Sequence, residues 1–129
     1  TKYLEKYGYP KTVNDLNKHK FISYGKGAPS PVFNPDWALK LGMKDNKKRK
    51  TVMKVNSIMG LLLAVESGVG IAALPDYLVS LSSNLIKLIP SEEGPITEAY
   101  FVYPESLKNV ARVQAFRNFL YSKISEWKF

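Results

Sequence analysis

Apolar positions along this chain switch between two periods, and the switches mark the elements. Thr1 to Tyr7 has helical spacing and stops at Gly8, and Pro10 opens a turn. Thr12 is placed to cap a short helix over Val13 to Lys18, with Asp15 three residues on in a capping-box arrangement. Phe21 to Tyr24 reads as a strand, and Gly25 to Asp36, with two glycines and three prolines, as a loop. Trp37 to Leu41 and Thr51 to Val55 read as strands joined by a lysine-rich connection. Ile58 to Ser67 is a buried helix that Asn56 or Ser57 can cap and Gly68 can end. Val69 to Leu74 is a short apolar run of the kind found in a strand buried on both faces. A short helix over Asp76 to Leu81, a strand over Leu85 to Ile89, a turn from Ser91 to Pro95 and a strand over Thr97 to Tyr103 follow, with Pro104 as a stop. Asn109 is positioned to cap a last helix reaching about Trp127, whose Val110, Val113, Phe116, Phe119, Leu120, Ile124 and Trp127 form one apolar face. Strands alternating with helices predict an α/β fold with a mixed, mostly parallel sheet flanked by helices.

Composition narrows the class. At 129 residues, 45% apolar and 23% charged, the chain can bury a core of its own. Its longest apolar run, Ile58 to Leu74, is broken by Glu66, Ser67 and glycines, too interrupted to span a membrane. No signal peptide is evident, and the first residue is a threonine, which suggests a piece of a longer protein. The absence of cysteine excludes disulfides, thiolate catalysis and cysteine metal sites, and fits a reducing, cytoplasmic location.

The net charge of +8 is lopsided: residues 1–54 hold 13 Lys/Arg against 4 Asp/Glu, and residues 55–129 hold 6 against 7. A basic half invites a nucleic-acid reading. Against it, 16 of the 19 cations are lysine, whereas base readout favours arginine, and no recognition-helix pattern or aromatic platform accompanies them. The run from Lys44 to Lys50 therefore reads first as a solvated connection and second as a contact surface for an acidic partner.

Catalytic and cofactor chemistry finds little support. Gly68-Val69-Gly70-Ile71-Ala72-Ala73 fits the dinucleotide fingerprint, but that motif must follow a strand and open a helix, and here the order is reversed. A helix stop accounts for both glycines. Ser23 and Lys26 have Ser-x-x-Lys spacing, yet the pair crosses a glycine on leaving a strand rather than opening a helix. His19 is the only histidine, so no histidine metal cluster forms, and it reads as a structural residue at a helix end that Asp15 can orient. Glu92-Glu93 reads as a solvated turn. No nucleophile, base and orienter assemble, so the chain is not expected to be an enzyme, and no cofactor or metal is expected.

What remains is a ligand cleft. Open α/β sheets bind ligands at the carboxyl ends of their strands. Ser23, Tyr24 and Gly25 stand at the first such end, Asn56 and Ser57 at the second, and Pro75 beside Asp76 at the third. Hydroxyl and amide groups beside a helix N-terminus suit a small carboxylate or other anion, while Asn56 and Ser57 can equally serve only as caps.

Three segments carry a family resemblance. Val55 to Val79 (VNSIMGLLLAVESGVGIAALPDYLV) resembles the second-lobe signature of LysR-type transcriptional regulators. Tyr3-Leu4, Gly8, Pro10, Asp15-Leu16 and His19 resemble that family's preceding pattern, and Val102-Tyr103-Pro104, Val113, Ala115-Phe116 and Phe119-Leu120 its closing strand and helix. The resemblance implies a periplasmic-binding-protein-like (type II) lobe of an effector-binding domain. Residues 1–90 would form the second lobe, and residues 91–129 the strand and helix that return to the first after a hinge near Ile89 to Pro95. It implies an effector, usually a small metabolite, bound between lobes to bias transcription, with DNA contacted only through an N-terminal winged helix-turn-helix that this stretch does not contain. With most of the first lobe also absent, effector affinity should be weak. The apolar face with Phe116, Phe119 and Trp127 should then find a partner, so self-association is expected. A solute-binding protein of related fold and a stand-alone protein-interaction module are the alternatives.

Overall fold

The computed structural model describes residues 2–25, 34, 36–45, 47–80 and 82–126. The loop expected over Gly25 to Asp36 lies outside them except at Gly25, Asn34 and Asp36, as do Lys26 and the helix-end residues Thr1, Leu81 and Trp127. The chain packs as two units, residues 1–97 and 98–129.

In the first unit, α1 (Lys2–Tyr7) is followed by a 3-10 helix (Val13–Lys18), β1 (Phe21–Tyr24), α2 (Trp37–Lys40), β2 (Thr51–Val55), α3 (Ile58–Glu66) and α4 (Asp76–Val79). The starts and stops follow local chemistry. Gly8, at φ 81°, ends the segment after α1. Thr12 and Asp15 form the expected capping box, and the Thr12 hydroxyl, the Thr12 N–H and the Lys11 N–H all donate to the Asp15 carboxylate. Those bonds hold its pKa below the ordinary carboxylate value.

β1 and β2 occupy the residues expected of them and pair in parallel, with Ser23 opposite Lys54 and Tyr24 opposite Val55. A register shift lies between Phe21 and Ile22. β1 has a neighbour on each edge, because Ile71 bonds to it from the other side: Ile22 N–H to Ile71 O at 2.9 Å and Ile71 N–H to Lys20 O at 2.9 Å.

All four residues of β1 are buried, and successive side chains serve different cores. Phe21 joins Tyr3, Leu4, Leu16, Leu39 and Ile71 on one side of the sheet. Ile22 joins Leu61 and Ala64 of α3 on the other.

Several expectations need correction. Trp37 to Leu41 is not a strand: its donors turn inward, Leu39 N–H to Asp36 O and Leu41 N–H to Trp37 O, forming one helical turn that sinks Leu39 into the core. Val69 to Leu74 does not form a doubly buried strand. Among the described residues its ladder pairing with β1 is the single Ile71 bridge, and Val69 is 39% exposed. Leu85 to Ile89 is not a strand either, because Ile89 takes φ 49° and the chain packs Leu88 and Ile89 into the first core instead. Of Gly68 and Gly70, Gly68 alone, at φ 75°, stops a helix; Gly70 is required because a Cβ there would sit 2.5 Å from the Lys20 carbonyl oxygen. α4 closes at Val79, one turn long.

The second unit holds a short 3-10 helix (Glu105–Leu107) and α5 (Ala111–Ser125). The strand expected over Thr97 to Tyr103 is absent; Tyr100 and Val102 stand exposed with no ladder beside them among the described residues. Val110, not Asn109, occupies the N-cap of α5 and supplies no side-chain bond. Phe101 meets Phe116 edge-on at 5.6 Å. α5 buries none of its described residues, and Phe116, Phe119 and Ile124 are each more than half exposed.

Candidate functional site

The carboxyl end of the sheet gathers most of the expected residues. Ser23 and Tyr24 close β1, and Gly25 N–H donates to Val55 O at 2.6 Å, carrying the pairing one residue past the strand. A Cβ on Gly25 would meet that same carbonyl at 3.4 Å. The Tyr24 hydroxyl donates to Asn56 O at 2.9 Å and ties the two strand ends together. Ser57 is the N-cap of α3, its hydroxyl accepting from Gly60 N–H at 3.3 Å. The cap role therefore belongs to Ser57, and the exposed Asn56 side chain takes no part in it. Ile58 and Met59 open α3, and first-turn N–H groups have no partner within their own helix. Pro75 occupies the N-cap of α4, four residues past the Ile71 bridge.

Ser23 points the other way. Side chains alternate across a strand, so Ser23 shares the Phe21 face, opposite α3. Here an open hollow of about 460 Å³ is lined by Ser23, Tyr24, Asp36, Leu39, Lys48, Arg49, Lys50, Thr51 and Lys54. Its cations are not alike. The Lys48 ammonium is 2.9 Å from the Asp36 carboxylate. Arg49, 8% exposed, spends its guanidinium inward: Nε donates to Asn17 Oδ1 at 2.8 Å, Nη1 to the Ala38 and Leu41 carbonyls at 3.2 and 2.7 Å, and Nη2 to Val13 O at 3.1 Å. It also lies over the Phe21 ring at 5.6 Å. Burial holds its pKa below the usual guanidinium value.

The Lys44 to Lys50 run is thus only partly a solvated connection. Its one arginine fastens the 3-10 helix to α2. The signal was that single arginine among lysines, since only a planar five-donor fork reaches four acceptors at once.

His19 has the structural role expected of it. The Tyr3 hydroxyl accepts from Lys20 N–H at 2.8 Å and lies 3.3 Å from His19 Nδ1, to which it donates in the neutral tautomer protonated at Nε2. Partial burial lowers the His19 pKa, against a smaller opposing pull from Asp15. Among the described residues, no group of three His, Asp or Glu side chains is placed to hold a metal ion, and no helix is long and apolar enough to cross a membrane.

The family model for the LysR substrate binding domain matches residues 2–124. An uncharacterized HTH-type transcriptional regulator of Haemophilus influenzae is 30% identical over 106 residues, which are 79% of this chain and 35% of that protein. The chain therefore spans about a third of the length of that curated relative. No solved structure matches it.

Proposed function

The chain belongs to the LysR substrate-binding domain family, with its type II periplasmic-binding-protein-like fold, and from that premise we propose that it senses a small anionic metabolite at the carboxyl end of its sheet. Members of this family regulate transcription and are not enzymes. In this reading, residues 1–90 supply the second lobe of the effector domain and residues 91–129 the elements that return to the first. Effector binding between lobes shifts the population of two arrangements and so biases the DNA-bound assembly of the whole regulator.

One observation carries the reading: the Tyr24 to Asn56 hydrogen bond locks two strand ends together directly beside the start of α3. In this reading the Asn56 side chain and the first-turn N–H donors of α3 meet the carboxylate, the kind of group a helix N-terminus suits. The test is a titration of the 15N-labelled chain with a panel of small mono- and dicarboxylates. Saturable shifts at the Tyr24, Gly25, Asn56, Ser57 and Ile58 amides, weakened in Asn56→Ala, are expected for at least one acid. A panel that leaves those amides unmoved overturns the reading.

Self-association belongs to the same proposal, favoured by the bare apolar positions of α5. Light scattering after size exclusion should show a mass that rises with concentration and falls back in Phe116→Ser/Phe119→Ser. A strict monomer at all concentrations contradicts it.

A further inference from the structure

We infer that the hollow on the α2 side of the sheet is a second anion site, one that takes a carboxylate or phosphate group through Ser23, Lys50, Thr51 and Lys54. It is distinct from the α3 N-terminus, which serves the opposite face.

The argument starts from register. Ser23 and Lys54 are direct partners in the parallel pair, so their side chains leave the sheet on the same face. Thr51 is the partner of Phe21, two residues earlier on that face. Thr51 and Lys54 are three residues apart and in a regular strand would face opposite ways; the register shift between Phe21 and Ile22 lets both join Ser23. The bulge thus gathers two hydroxyls and an ammonium on one wall.

The second observation is Ser23 itself. It is 4% exposed and lines the hollow, and no fully buried side-chain polar atom among the described residues lacks a hydrogen-bond partner, so its hydroxyl is not sealed away from the hollow. What remains accessible of Ser23 opens on the hollow, where a hydroxyl can donate to an anion.

Charge supplies the selectivity. Among the described residues that line the hollow, Asp36 is the only acidic one, and Lys48 pairs with it. Arg49 stiffens the floor but has turned its donors inward, so Lys50 and Lys54 are left to meet an anion. The two sites are independent claims with separate reporters.

The experiment uses inorganic phosphate and malonate against the 15N-labelled chain at constant ionic strength, with glycerol as the neutral control. Saturable shifts at Ser23, Lys50, Thr51 and Lys54 are expected with either anion. The apparent affinity should fall about tenfold in Lys50→Met/Lys54→Met, the loss that follows from removing charge-assisted bonds. Ser23→Ala should weaken binding while leaving the fold intact, judged by unchanged shifts elsewhere. Shifts confined to Asn56, Ser57 and Ile58 would overturn this site and leave the cleft standing; shifts confined to the hollow would do the reverse. Linear, unsaturated drift that survives in the double lysine variant identifies an ordinary counterion atmosphere and refutes the inference.

Discussion

Replacing Arg49 by methionine is the sharpest perturbation this fold offers. The side chain keeps its bulk against Phe21 but loses four hydrogen bonds, three of them to the Val13, Ala38 and Leu41 carbonyls. A hydrogen bond from a charged donor is worth about 1.5–3 kcal/mol, and each acceptor left buried without a partner costs about 1–3 kcal/mol. These terms do not add. Water reaches part of the vacated space, and the variant no longer has to desolvate a cation. Cutting one partner out of a buried charged network costs about 3–5 kcal/mol in general. We place Arg49→Met at the low end, about 3 kcal/mol, a large share of the ~5–15 kcal/mol that holds a domain together. Arg49→Lys retains charge but cannot span the 3-10 helix and α2 together, and should lose about 2 kcal/mol. Lys48→Ala is the internal control, because its ion pair with Asp36 is 42% exposed at the lysine and such pairs are worth about 0–1 kcal/mol. Urea unfolding followed by circular dichroism measures all three. A difference below about 1 kcal/mol between Arg49→Met and Lys48→Ala would refute the view that Arg49 holds these elements together.

Two further outcomes follow from local geometry. Gly70→Ala should lose about 2 kcal/mol or more, since its Cβ meets the Lys20 carbonyl at 2.5 Å and that carbonyl is pinned by Ile71 N–H. Gly60→Ala, whose nearest neighbour would be 3.5 Å away, should instead gain about 0.5 kcal/mol from helix propensity; denaturant midpoints separate the two. For His19 the folded pKa lies below the ordinary value of about 6.5, so the unfolded chain binds more protons between the two pKa values. The histidine's contribution is therefore complete above about pH 6.5 and is lost as pH falls through the folded value. Melting temperature should drop from pH 7.5 to 5.5 in the native chain and drop less in His19→Gln. Asp15 titrates lower still and cannot produce a transition in that window.

The parts of the fold that were legible in the sequence are those written in neighbouring residues. Thr12 with Asp15, Ser57 with Gly60, and Gly68 each name a helix end by a bond or a backbone angle set within a few positions. β1 and β2 were readable because polar or glycine residues bracket them. Strands that depend on a partner were not. Leu85 to Ile89 and Thr97 to Tyr103 have the composition of strands, but composition does not supply a neighbouring edge. Trp37 to Leu41 is too short for period 2 and period 3.6 to be told apart. At the candidate site, the bond from the Tyr24 hydroxyl to the Asn56 carbonyl joins two strand ends that stand 32 residues apart in the sequence. The role of Lys54 was hidden, since its partnership with Ser23 depends on a bulge that no spacing announces.

The position of β1 between two neighbours also governs the order in which this molecule can assemble. Its partners are far away along the chain: Phe21 pairs with Thr51 and then with Ile71, thirty and fifty residues downstream. Closing such loops costs entropy before any contact returns it, so β1 docking is late, after α3 and the capped turns have formed. During synthesis the Phe21 to Tyr24 segment leaves the ribosome long before Ile71 does. In that interval an apolar strand with both edges open is held only by its nearest helices. Closing that second edge requires Gly70 to lie against the Lys20 carbonyl, a fit that no residue with a Cβ could make without moving the strand.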